Sequence, residues 1–169
     1  MPNPTEIVIN TSPLLALSAA CGDLNLLQAL YKQVFVPYEV CQEIEKGGLS
    51  GFSVAEFKAA HFLHKIDKPL IISPFLKNSL DIGEASVIQL ALDKGIQTVC
   101  IDETVGRRIA RLNNLSLTRS IGILIRAHQE GHVFSMQEAI KNMQDRGIWL
   151  SDSVISVALK AVEKTAQLH

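Results

Sequence analysis

The stretch Glu6-Ile7-Val8-Ile9-Asn10-Thr11-Ser12-Pro13-Leu14 decides the fold. Its run Glu6 to Ile9 is strand-like and ends on Asn10-Thr11-Ser12, so it reads as a strand of about residues 6 to 10. A helix is expected next. Ser12 is placed to cap it, Pro13 suits its first turn, and Leu14, Leu15, Leu17 and Ala20 are apolar. The same grammar returns at Thr98-Val99-Cys100-Ile101-Asp102-Glu103, a core strand over 98–101 that ends on carboxylates and runs into a helix over 103–113. Parallel α/β sheets bind ligands at the carboxyl ends of strands, where the strand order reverses. Asn10 and Asp102 therefore share one crevice if both strands are central.

The segments between and after these two continue the alternation. Leu24, Leu26, Leu27 and Leu30 form a helical stripe after Gly22-Asp23. Val34 to Val36 is a short buried strand closed by Pro37, and a helix over 38–46 carries Val40 and Ile44 inward before Gly47-Gly48 stops it. Residues 53–62 read as helical and Ile71-Ile72 as a strand. Asp81-Ile82-Gly83-Glu84 opens a long helix that runs to Lys94 and ends at Gly95. Residues 116–118 give a last short strand. Helices over 120–130 and 135–146 are separated by Gly131, and Ser151 caps a final one. Strands alternating with helices predict βαβ units and a mainly parallel sheet. With 169 residues and 47% hydrophobic content, the chain is expected to form one domain over 1–169, with a C-terminal helical extension over about 120–169.

Glu43 and Glu84, each on an amphipathic helical segment, complete an oxygen-rich set with Asn10 and Asp102. Such sets hold hard divalent cations, Mg²⁺ or Mn²⁺, which support phosphoryl chemistry. Every member also has a local reading. Asp81 and Glu84 fit a capping box, Asp102 fits a cap on the helix after it, Glu43 fits a solvated helix face beside Glu39 and Glu45, and Asn10 and Ser12 fit turn and N-cap roles.

The arginines are distributed unevenly. Formal net charge is −1, yet five of the six arginines, Arg107, Arg108, Arg111, Arg119 and Arg126, fall between Thr104 and Gln129, where there is no Asp or Glu, giving a local charge of about +5. Guanidinium forks match phosphate, and a basic stripe is the footprint of a nucleic-acid binder; a solvated helix face is the alternative. Intrahelical ion pairing does not account for Arg107 and Arg111, which are spaced i,i+4 without an acidic partner between them.

Several function classes drop out. Neither a GxGxxG nor a GxxxxGK[ST] phosphate loop occurs, and no GxSxG elbow supports a serine hydrolase. Cys21, Cys41 and Cys100 lack CxxC spacing and read as small buried residues. His128 and His132 flank Glu130, but Gly131 interrupts the helix that would put both rings on one face. No run approaches the roughly 18 apolar residues of a membrane span, and no charged n-region precedes an apolar stretch, so a cytoplasmic address is expected.

Taken in order, Ile7-Val8-Ile9-Asn10-Thr11-Ser12-Pro13-Leu14, Val36-Pro37-Tyr38-Glu39-Val40-Cys41-Gln42-Glu43-Ile44, Asp81-Ile82-Gly83-Glu84-Ala85 and Ile101-Asp102-Glu103 resemble the PIN-domain nucleases, especially a bacterial and archaeal branch described as predicted nucleic-acid-binding proteins. Ser120-Ile121-Gly122-Ile123-Leu124 and the helices after it extend the likeness over nearly the whole chain. The resemblance implies a three-layer α/β/α fold with a central, mainly parallel sheet. It also implies an acidic quartet that binds Mg²⁺ or Mn²⁺ and hydrolyses RNA, and often a VapC-like toxin paired with a small antitoxin protein, or a homodimer. The quartet falls on Asn10, Glu43, Glu84 and Asp102, the nearby small hydroxyl on Ser12, and an auxiliary ligand on Glu103. Asn10 departs from the pattern: its amide oxygen can ligate a hard cation but brings no charge, leaving about three negative charges where four are usual.

Two functions follow from the sequence. One is a metal-dependent ribonuclease in which Glu43, Glu84 and Asp102 are catalytic, Asn10 and Glu103 join them on the metal, and Ser12, Arg107, Arg108, Arg111 and Arg119 contact RNA. The other is a catalytically weak or inactive nucleic-acid-binding module with the same fold. A phosphoacceptor receiver domain is more distant, lacking the paired acids after strand one and the late lysine it requires.

Overall fold

A computed structural model describes residues 3–47, 51 and 53–168. In chain order the elements are β1 (Glu6–Ile9), α1 (Thr11–Cys21), α2 (Asn25–Leu30), β2 (Gln33–Val36), α3 (Tyr38–Glu45), α4 (Val54–Ala59), β3 (His64–Lys65), α5 (Pro74–Ser79), α6 (Ile82–Lys94), β4 (Thr98–Cys100), α7 (Thr104–Leu112), β5 (Ser116–Thr118), α8 (Ser120–Gln129), α9 (Met136–Asp145) and α10 (Asp152–Gln167).

The five strands form one sheet in the order β3-β2-β1-β4-β5, and every pairing is parallel. Val8 is central: it is in register with Phe35 on one side and with Val99 on the other. Ile7, Val8 and Ile9 are fully buried, as an unbroken apolar run requires when helices cover both faces. Burying each such side chain contributes about 1.5–3 kcal/mol. One layer groups α1 with α8, α9 and α10; on the other side α6 packs against β1 and β4, with α3, α5 and α7 beside it. The result is the expected three-layer α/β/α architecture. From β1 the chain moves outward to β2 and β3, then returns to place β4 on the opposite side of β1, so the order reverses between β1 and β4. Their carboxyl ends flank the crevice.

Four local expectations change. Asn10, not Ser12, is the N-cap of α1, and its side chain makes no capping bond. Its N–H still pairs with Cys100 O at 3.1 Å, so the chain passes from sheet to helix within a single residue, and Ser12 falls inside the helix. Ile71-Ile72 is not a strand. Ile71 is 95% exposed, and the segment leads into α5, where Ser73 accepts a hydrogen bond from the Leu76 N–H and Pro74 occupies the first turn. The fifth strand is instead the two-residue β3, whose His64-Lys65 has no apolar pattern to announce it. Cys41 and Cys100 are buried as expected, but Cys21 is only half-buried at the end of α1. Gly48, expected to help stop α3, lies outside the described residues; α3 ends at Glu45 with Lys46 as its C-cap. Among the described residues, no helix is long and apolar enough to cross a membrane.

Candidate functional site

The N-terminus of α6 organises the acidic side of the crevice. Asp81 caps the helix by accepting the Glu84 N–H at 2.9 Å, and the Asp81 N–H faces the Glu84 carboxylate and favours its charged form. Gly83 donates its N–H to Glu43, which reaches over from α3. A side chain at Gly83 would strike Glu43 Oε1, so glycine is what lets the Glu43 carboxylate approach the first turn of α6. On the other flank, Thr11 Oγ1 donates to Glu43 Oε2 at 2.7 Å.

Glu84 is 5% exposed. Burial pushes its carboxyl up to about 7, helped by the neighbouring charges of Asp81 and Glu103 and by a hydrogen bond with the Glu103 side chain. Gly106 of α7 faces the same carboxylate: a Cβ there would sit 3.0 Å from Glu84 Oε1. Glu103, the N-cap residue of α7, accepts from Ser12 Oγ at 2.9 Å. Glu43 is raised as well, first by burial and then by Asp81 and Glu103, against the lowering effect of Thr11. Glu43, Glu84, Asp81 and Glu103 thus lie within each other's fields.

Asp102 sits one residue beyond the end of the buried strand segment and is gripped at both oxygens. The Ser120 N–H and Oγ, at the first turn of α8, each donate to it at 2.8 Å. Burial raises its carboxyl; Ser120 and Arg119 oppose that rise, and Glu103 adds to it. Asp102 is therefore not the cap of α7, a place Glu103 takes. Asn10 lies across the β1–β4 pairing, 4% exposed, and its Oδ1 is buried without a hydrogen-bond partner.

The structure brings Asn10, Glu43, Glu84, Asp102, Glu103 and Ser12 to one end of the sheet. They do not close around a point: among the described residues, no group of three His, Cys, Asp or Glu side chains is placed to enclose one ion. The donors are still those of a hard cation. All are oxygens, one buried amide oxygen has no partner among the described residues, and burial, helped by Asp81 and Glu103, pushes the Glu84 carboxyl up to about 7. Mg²⁺ keeps several waters and takes only one or two carboxylates with substrate phosphates, so the residues present fit such an ion without a closed cage.

The arginine stripe divides. Arg107 and Arg119 are half-buried near Asp102, while Arg108 and Arg111 are exposed. Arg126 leaves the stripe altogether: it pairs with Glu130 at 2.8 Å, donates to Pro4 O and Leu30 O, and lies over the Tyr31 ring. It is a structural tie. Sequence reading foresaw Asp81 as the cap of α6 but missed Thr11, Gly83, Gly106 and Ser120. A hydroxyl residue directly after a short strand was the available signal for Ser120; nothing local marked the two glycines.

No curated protein matches the chain. A family model described as "PIN domain" matches residues 6–164, from the first residue of β1 to within α10. That span takes in every element of the sheet and every residue of the crevice, and the chain belongs to the PIN-domain family.

Proposed function

We propose that the chain hydrolyses RNA phosphodiester bonds with Mg²⁺ or Mn²⁺ at the crevice of Asn10, Glu43, Glu84, Asp102 and Glu103. The observation that carries this reading is that carboxylates from α3, from α6 and from the β4–α7 connection gather with the unpartnered Asn10 oxygen at the reversal point of a parallel sheet. When bound, a divalent cation polarises a phosphoryl oxygen and lowers the pKa of a coordinated water. The chain's own residues supply the rest. Glu84, held near neutrality, can accept a proton at its carboxylate at physiological pH. Ser120 fixes the direction of Asp102, and Thr11 and Gly83 fix that of Glu43. Arg107, Arg108, Arg111 and Arg119 offer positive charge to the RNA backbone beyond the acids.

Cleavage of a panel of single-stranded RNAs by the purified protein, with Mg²⁺ or Mn²⁺ and with EDTA as blank, tests this. The parent should cut and Asp102→Asn should lose about 10²-fold or more in rate. Equal cleavage by the variant would assign the activity to a contaminant.

A second reading, a binding module without turnover, is favoured by Asn10, which brings no charge, and by the open spacing of the acids. RNA that binds in a salt-dependent way and is never cut supports it. The family likeness also supports finer readings within the first proposal: a VapC-like toxin with a small antitoxin protein as partner, a homodimer, and a cytoplasmic address. An antitoxin-sized reading frame immediately upstream would support the toxin assignment.

A further inference from the structure

Arg107 and Arg119 are arranged unlike Arg126, which is also half-buried. Arg126 spends its guanidinium on a carboxylate, two carbonyls and an aromatic face, as a half-buried arginine of purely structural role should. Among the described residues Arg107 and Arg119 have no such partners: the Nε of each is shielded from water with no acceptor, and neither forms an ion pair. They also crowd each other. Arg107 is pulled below its ordinary pKa by burial and then by the charges of Arg119 and Arg111, with Asp102 the one opposing charge. Asp102 lies in their field but, among the described residues, pairs with neither; the hydrogen bonds its two oxygens accept come from Ser120.

Two elements hold this pair in place. Arg107 lies one turn after Glu103 in α7, its N–H donating to Glu103 O at 3.1 Å, and Arg119 is the N-cap residue of α8, directly before the Ser120 that grips Asp102. Both elements are anchored by buried side chains, Ala110 of α7 and Ile121, Ile123 and Leu124 of α8, with α7 against β5 and α6 and α8 against α1 and α10. Neighbouring like charges with shielded, unused donors are stable when an anion with several acceptor oxygens lies between them. A phosphate oxyanion has that geometry, and two guanidinium forks can share one.

We propose that Arg107 and Arg119 form a two-guanidinium clamp for one phosphodiester of a single-stranded RNA, the phosphate next to the one that faces Asp102. Naming RNA rests on the ribonuclease reading above; the clamp itself does not require cleavage. The substrate class follows: strands with a phosphate flanking the reactive bond, so that a dinucleoside monophosphate, which has none, binds poorly. Arg108 and Arg111, in open solvent, add general attraction and no fixed contact.

The test is fluorescence anisotropy of a labelled single-stranded RNA with the full chain in EDTA, over a series of salt concentrations, with Lys32→Gln as a reference at the opposite end of the sheet. Arg107→Gln and Arg119→Gln should each raise Kd on the order of tenfold and lower the salt slope by up to about 0.7, the loss of one phosphate contact on a single strand. Because they share that phosphate, the double variant should bind about as weakly as either single. Losses that multiply to about a hundredfold would mean two independent contacts and overturn the clamp, as would Kd and slope equal to the parent. Arg107→Lys and Arg119→Lys keep the charge but lose the fork, and guard against misfolding of the Gln variants; parent-like binding by both overturns the clamp too. The two readings fail separately. A parent that binds in this pattern in EDTA yet never cuts with Mn²⁺ retires the nuclease and leaves the clamp. A parent that cuts while Kd ignores both arginines does the reverse.

Discussion

Glu84 carries the sharpest conflict in the crevice. It is helped by the Asp81 N–H, yet burial and the charges of Asp81 and Glu103 outweigh that help and push it up to about 7. An acid raised in this way is protonated in both folded and unfolded chains below its ordinary value of 4.5. Between that value and about 7 the unfolded chain gives up its proton while the folded chain keeps it, so the folded state loses stability as pH rises through the window. The loss should be on the order of 1–2 kcal/mol, allowing for screening at the mouth of the crevice. Denaturant unfolding in EDTA should therefore give a lower midpoint at pH 8 than at pH 5. Glu84→Gln should flatten the profile without levelling it, because Glu43 and Asp102 are raised in the same direction. Parallel profiles for parent and variant would place the titration on another group.

At the scale of elements, α7 and α6 approach through a glycine. Ala at position 106 improves helix propensity by about 1 kcal/mol, but its Cβ would lie 2.9 Å from Ile101 Cγ2 and 3.0 Å from Glu84 Oε1. Ile101 is fully buried and cannot swing away. Overpacking of this kind costs about 1–3 kcal/mol, so Gly106→Ala should be net destabilising by about 1 kcal/mol in urea unfolding; a stabilised variant would mean that α7 slides freely over α6. The strands β1, β2, β4 and β5 and most helices were legible because apolar runs, caps and glycine stops agree with one another, as they do at Asp81 and Gly95. β3 and α5 were not. His64-Lys65 becomes a strand only because β2 offers it a free edge, and Ile71-Ile72 has strand-like residues that no sheet receives. The acids at Glu43, Glu84 and Asp102 were legible as types at element ends. Their partners Thr11, Gly83, Gly106 and Ser120 were hidden, since each is defined by an approach between elements far apart in the chain.

The whole molecule separates its charges across one end of the sheet: carboxylates over β1 and β4, guanidiniums on α7 and at the start of α8, and a formal net charge of only −1 overall. That end exists only when β1 and β4, some ninety residues apart, pair through Val8 with Val99 and Ile9 with Cys100. Global stability should therefore report on the site. Asn10 is the residue through which to read it, because its oxygen is buried at that seam without a partner. Asn10→Asp places a further negative charge beside an acidic cluster already held partly protonated. In EDTA the added repulsion and desolvation should cost about 1–2 kcal/mol near neutral pH and lower Tm. With Mn²⁺ the same carboxylate becomes a ligand, and a ligand that binds only the folded chain stabilises by RT ln(1 + [L]/Kd), about 2.7 kcal/mol at a hundredfold excess over Kd. The variant should thus melt below the parent in EDTA and gain more than the parent does when Mn²⁺ is added, with Mg²⁺ giving the same sign. In a metal-dependent nuclease, the substitution should also speed RNA cleavage, since the fourth charge of the quartet is restored. A variant that melts like the parent in both conditions would show that position 10 does not share a field with Glu84 and Asp102, and the crevice would have to be divided into separate halves.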